Sequence, residues 1–176
     1  RLINLPWSER LRNRSFLAIE GTYLTAKQAL KSGIACHVGG GTHHAHHNNG
    51  LGFCVFNDLG YTAKNLIAEG HIEKVLILDL DVHQGDGTID ICQGDPQIFT
   101  CSIHSESNFP FEKKQGWMDI GLPAGIKDEA YLDTLSQTLH SIERSLTPDL
   151  VLFDAGIDVY SEDGLGNLEL SIEGIR

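Results

Sequence analysis

Hydrophobic positions along the chain switch repeatedly between helical and strand spacing. Gly21–Lys31 carries Leu24, Ala26, Ala29 and Leu30 on or near one face, and Asn57–Glu69 carries Leu59, Ala63, Leu66 and Ile67 at helix spacing. Asp128–Leu146 is the longest helical stretch and Gly87–Gln93 a short one. Between them, apolar runs rich in β-branched residues predict strands at Ile34–Val38, Lys74–Leu80, Gln97–Ile103 and Asp149–Ala155. A polar, aromatic loop runs from His104 to Trp117, and Ser171–Arg176 reads as the first turn of a helix. Strands separated by helices predict βαβ units, hence a mainly parallel sheet covered on both faces, a three-layer α/β/α fold. In such sheets ligands bind beyond the carboxyl ends of the strands.

That rule turns the polar clusters into a test. The strand at Ile34–Val38 leads through Gly39-Gly40-Gly41 to Thr42-His43-His44-Ala45-His46-His47. The strand at Lys74–Leu80 runs into Asp79, Asp81, His83 and Asp86, the next into Ser102 and His104, and the last into Asp154 and Asp158. Side chains two apart on a strand share a face, so Asp81 and His83 project together. A carboxylate and an imidazole make two thirds of a catalytic zinc site. Asp158 is the natural third ligand, just past Gly156, with Asp154 as its rival. Asp79 and Asp86 are available to orient imidazoles, and His46 and His47 read as mouth or surface residues.

The histidine cluster has a bland alternative, a solvated metal-scavenging loop. The preceding glycines imitate a phosphate cradle, but no Gly-Lys-Ser/Thr follows, so the P-loop reading fails. Adjacent histidines opposite an Asp/His metal pair suit amide hydrolysis, which needs a base for the water proton and an acid for the leaving amine.

Composition narrows the partners. The 176 residues fit one domain, and 41% of them are hydrophobic, enough for a sizeable core. The formal charge is −11 with histidine neutral, and no Lys/Arg-rich run is present, which disfavours direct nucleic-acid binding. It favours cationic substrates, basic protein tails and polyamines equally. No apolar stretch approaches the roughly 18 residues of a membrane span, and no signal peptide opens the sequence. Cys36, Cys54, Cys92 and Cys101 form no CxxC pair and read as reduced, buried thiols of a cytoplasmic protein, or a nuclear one in a eukaryote.

Several motifs in order carry a specific resemblance: Gly39-Gly40-Gly41-Thr42-His43-His44-Ala45; Gly52-Phe53-Cys54-Val55-Phe56-Asn57-Asp58; Asp79-Leu80-Asp81-Val82-His83-Gln84-Gly85-Asp86-Gly87-Thr88; Ser102-Ile103-His104; and Ala155-Gly156-Ile157-Asp158 with Asp163-Gly164-Leu165-Gly166. The chain resembles the zinc-dependent histone deacetylase superfamily, which includes acetylpolyamine amidohydrolases and acetoin-utilisation proteins and shares the arginase fold. Gln84 and the glycine run resemble most the class IV branch and its bacterial relatives.

The resemblance implies one zinc on Asp81, His83 and Asp158. It implies His44 as general base and acid, oriented by Asp86, with His43 as an electrostatic partner oriented by Asp79. Phe53 and Phe109, with Gly52, would line a narrow tunnel for an acyl-lysine chain. A potassium-type ion would sit on Asp79 and Ser102 with backbone carbonyls of Asp81, His83 and Ile103, oxygen ligation suited to a hard cation. The implied reaction is removal of an acyl group from a protein lysine. The alternatives are the same chemistry on small acylated amines such as acetylpolyamines, and a non-catalytic module that binds acyl-lysine or a partner. A two-manganese hydrolase of the arginase kind would want more carboxylates.

Residues 1–176 read as a partial catalytic domain cut at both ends, since Arg1 is no start methionine and the last helix stops mid-element. The resemblance implies an oxyanion-donating tyrosine in a later glycine-rich loop. Tyr160 does not match that motif.

Overall fold

The computed structural model describes residues 3–176. Its centre is a parallel sheet of β1 (Val75–Asp79), β2 (Ile98–Ser105), β3 (Met118–Leu122) and β4 (Leu150–Asp154), in the order β3-β2-β1-β4. The helices are α1 (Glu9–Ser32), α2 (Asp58–Ala68), α3 (Asp86–Cys92), α4 (Asp128–Ser145) and α5 (Ile172–Ile175). All five residues of β1 are buried, as a central parallel strand covered on both faces demands. The pleat splits them between two cores. Leu76 and Leu78 join Tyr131, Ile142 and Leu146 on the α4 side, while Val75 and Ile77 join Ala26, Leu59, Ala63, Leu66 and Cys92 from α1, α2 and α3. The α/β/α layering therefore stands.

Three elements depart from the sequence expectation. Ile34–Val38 forms no strand: α1 ends at Gly33 (φ 86°), and Ile34 and Val38 are 84% and 97% exposed. The segment pairs with no described strand, although the outer edge of β4 is left unpaired among the described residues, and an apolar run this short carries no partner information of its own. α1 begins twelve residues before Gly21, where the Ser8 hydroxyl accepts the Leu11 amide at 3.0 Å as an N-cap. β3 adds a strand beyond the expected four-strand pattern, where Met118-Asp119-Ile120-Gly121-Leu122 alternates at the strand period. The cysteine expectation also needs correction, because Cys36 is exposed while Cys54, Cys92 and Cys101 are buried. No described helix is long and apolar enough to cross a membrane.

Candidate active site

The polar clusters converge at the carboxyl ends of β1, β2 and β4. Asp79, Ser102 and Asp154 end up side by side because they occupy matching register positions of the three strands. Beyond β1 the chain turns through Asp81 and His83. Asp81 Oδ1 accepts the His83 amide at 2.8 Å, and Asp158 Oδ1 accepts the Val82 amide at 3.0 Å, which ties the loop after β4 to the loop after β1. Gly156 permits this approach, since a Cβ there would collide with Asp81 Cα.

His43 and His44 come from the loop between α1 and α2 rather than from a strand end, and buried polar residues hold that loop in place. Asn57 caps α2 by accepting the Gly60 amide at 2.8 Å. Its Nδ2 also donates to the carbonyls of His43 (3.2 Å) and Ala45 (3.1 Å), which flank His44. Asp58, fully buried, accepts the amides of Gly41 (3.1 Å) and Thr42 (2.7 Å) and the hydroxyls of Thr42 (2.5 Å) and Thr22 (2.6 Å). Both residues stand in the sequence motifs, but nothing in the sequence assigned them this task. Their shared signal is an Asn-Asp pair opening a helix, the usual place for a cap.

The two histidines are each fixed by one carboxylate. His43 Nδ1 donates to Asp79 at 2.8 Å and His44 Nδ1 to Asp86 at 2.7 Å, so the expected orienting pairs are both assembled. Burial opposes charge on His43, yet Asp79, Asp81 and Asp154 outweigh it and hold its proton affinity well above that of an ordinary histidine. Burial wins at His44, whose proton affinity falls in spite of Asp86.

Among the described residues, two groups of side chains could hold a metal ion: Asp81, His83 and Asp158, and His43, Asp79 and Asp154, with ligand atoms within 4.8 Å in each group. In the first, His83 Nδ1 lies 3.0 Å from Asp81 Oδ1 and 3.1 Å from Asp158 Oδ2, one nitrogen between two carboxylates. In the second, His43 Nδ1 already donates to Asp79, leaving Asp154 3.8 Å away with a buried Oδ2 that has no hydrogen-bond partner. Two carboxylates and an imidazole on a part-exposed ledge fit a catalytic cation better than the sealed second group. Asp154 therefore stands beside the first group as a neighbour of His43.

The expected tunnel residues surround His44 unequally. The Phe109 ring packs edge-on against His44 (4.9 Å between centroids) and His83 (6.4 Å). Its loop is pinned by Lys113, whose ammonium donates to the carbonyls of Asn108 and Pro110. Gly52 passes over His44 with φ 52°, where a Cβ would stand 2.6 Å from the ring. Phe53, also at positive φ, is 56% exposed. Asp79 and Ser102 are register partners, and Asp81, His83 and Ile103 continue from the same two strands. The Ser102 hydroxyl and His104 Nδ1 are 3.0 Å apart. Of the two histidines expected at the mouth or surface, His47 is exposed, whereas His46 is half-buried with its ring 3.0 Å from Asp86 and 3.2 Å from Asp90.

Residues 3–176 match the Histone deacetylase domain. The chain belongs to the histone deacetylase family. It is 46% identical over 175 residues to an uncharacterised protein of Picosynechococcus, covering 99% of this chain and 58% of that protein. It is 32% identical to histone deacetylase 2 of Arabidopsis thaliana, covering 89% of this chain and 41% of the relative. Among solved structures, an HDAC homolog from Aquifex aeolicus superposes with a TM-score of 0.86 at 30% identity, over 92% of this chain and 46% of that one. An HDAC homolog complexed with SAHA gives 0.84 at 31%, over the same shares. The chain thus spans about half the length of the proteins it matches, and its fold is of the arginase–deacetylase type.

Proposed function

We propose that this chain carries the metal-binding and proton-transferring part of a zinc-dependent deacetylase that removes an acyl group from a lysine side chain. The observation that carries the reading is the pair of His–Asp dyads next to the Asp81–His83–Asp158 group, all on one rim of the sheet. Zinc held by Asp81, His83 and Asp158 would supply Lewis acidity toward the acyl carbonyl and the attacking water. His44, neutral because it is buried, accepts the water proton and later returns it to the leaving amine. Asp86 fixes the ring so that Nε2 is the nitrogen left free for this exchange. His43, kept charged by Asp79, stabilises negative charge that develops on the acyl oxygen. Phe109, against both His44 and His83, forms an apolar wall along which the lysine methylenes lie. A potassium-type ion on Asp79 and Ser102 would brace the strand ends, and a cytoplasmic setting suits the three buried thiols.

The test is turnover by the protein in its natural full length. An acetyl-lysine peptide should be deacetylated, with activity lost to a chelator and restored by zinc. Preference for acetylated putrescine or spermidine by far more than tenfold (about 1.4 kcal/mol) would move the substrate to small amines. No turnover of any of these by the zinc-loaded protein would overturn the hydrolase reading in favour of a binding module.

A further inference from the structure

Asp86 is buried, yet both of its oxygens are engaged by imidazoles: Oδ1 by His44 Nδ1 at 2.7 Å and Oδ2 by His46 Nε2 at 3.0 Å. His46 is itself anchored. Its Nδ1 lies 3.2 Å from Asp90 Oδ2, one turn further along α3, and its amide donates to the Asn49 carbonyl at 2.8 Å. Asp90 in turn meets Lys114 Nζ at 3.2 Å, and the amide of Lys114 donates to the buried Gln84 at 2.8 Å. A line of polar contacts therefore runs from His44 through Asp86, His46 and Asp90 to a loop fixed from below.

The terminal torsion of an aspartate is soft and roughly two-fold, so a bond to one oxygen does not fix the carboxylate plane. Bonds to both do. We propose that His46 is a positioning residue for proton transfer: by donating to Asp86 Oδ2 it locks the carboxylate so that Oδ1 faces His44. The proposal rests on the assignment of His44 as the proton carrier. Without His46, Oδ2 loses its partner in a buried setting, and the carboxylate turns to find another, taking the His44 ring with it.

His46→Phe keeps a ring of similar size and removes the donor, whereas His46→Gln replaces Nε2–H with a carboxamide N–H of similar reach. In the full-length, zinc-loaded protein, His46→Phe should lower kcat about tenfold to a hundredfold, as partners of catalytic ligands commonly do, with KM nearly unchanged. His46→Gln should recover most of that loss. On an Asp86→Asn background, His46→Phe should cost little more, because the two act on one carboxylate. Wild-type kcat in His46→Phe, equal losses in Phe and Gln, or losses that multiply with Asp86→Asn would each overturn the proposal. Failure of the underlying reading looks different: Asp86→Asn alone would then retain wild-type kcat. A readout free of turnover is the low-field proton resonance of the His44–Asp86 hydrogen bond, which should move in His46→Phe. If that variant does not fold, Asp90→Asn should move the same resonance, and an unmoved resonance overturns the proposal.

Discussion

His43 and His44 are chain neighbours with ring centroids 4.1 Å apart, yet their surroundings push their proton affinities in opposite directions. Three carboxylates gather on the His43 side, and only Asp86 touches His44 strongly enough to matter against burial. Opposite shifts of this kind suit the proposed division of labour, in which His43 holds a positive charge and His44 carries the proton in both directions.

The first prediction follows from that division. His44→Ala should cost more turnover than His43→Ala, of the order of 10²–10⁴-fold for a lost general base. Metal content should change little in either variant. Both are read by steady-state kinetics beside elemental analysis, and loss of zinc in both would make these histidines ligands instead.

Metal binding should be linked to protons. Burial opposes charge on His83, but Asp158 and Asp81 outweigh it and raise the free ring to about 9. A ligating imidazole must be neutral, so below about 9 zinc has to displace a proton, and apparent affinity should rise as pH rises toward that value. Calorimetry of zinc binding near neutral pH, in buffers of different ionisation enthalpy, should report proton release that disappears in His83→Ala. Release unchanged in that variant would remove His83 from the ligand set.

A third expectation concerns the loop that carries both histidines. Asp58→Ala strips four donors of their buried acceptor. Hydrogen bonds to a charged group are worth about 1.5–3 kcal/mol each, and unpaired buried donors cost a similar amount. Denaturant melts should show a loss of at least about 2 kcal/mol. Turnover should fall with it, since Gly41 and Thr42 lead directly into His43.

Much of this architecture is legible in the sequence because two periodicities and a turn chemistry report it locally. β1, β2, β4, α2 and α4 lie within one residue of their expected spans, except that β2 runs two residues further, to Ser105. Strand ends point to Asp81 and His83 and leave Asp158 and Asp154 as rivals for the third place, and the resemblance chooses Asp158, which the fold brings beside the other two. What escaped is what depends on partners distant in the chain. Ile34–Val38 looks like a strand by composition, but composition names no partner, and past the end of α1 the segment pairs with no described strand and leaves Ile34 and Val38 exposed. His46 looks like one of a run of loop histidines until α3 brings Asp86 and Asp90 against its ring. Asn57 and Asp58 look like an ordinary helix opening, and their contacts across 12 to 36 residues are invisible to any local pattern.

Gly52 offers the sharpest separation of backbone strain from site geometry. It adopts φ 52°, and a Cβ there would come 2.6 Å from His44 Cδ2 and 2.9 Å from Cγ, well inside contact distance. Gly70 adopts a similar φ of 73° with nothing within 4 Å of its Cβ position. An L-residue in this region costs about 1–2 kcal/mol for the backbone alone. Gly70→Ala should therefore lose stability of that order and keep full turnover. Gly52→Ala should lose as much stability and, in addition, displace either the His44 ring or its own loop. The loop is braced by reciprocal bonds between Leu51 and Cys54 at 3.0 and 2.8 Å, and the ring by a single strong bond to Asp86. The ring is the softer party, so the loss should appear in kcat with zinc retained. A rise in KM at unchanged kcat would instead mean that the loop gives way and carries Phe53 with it.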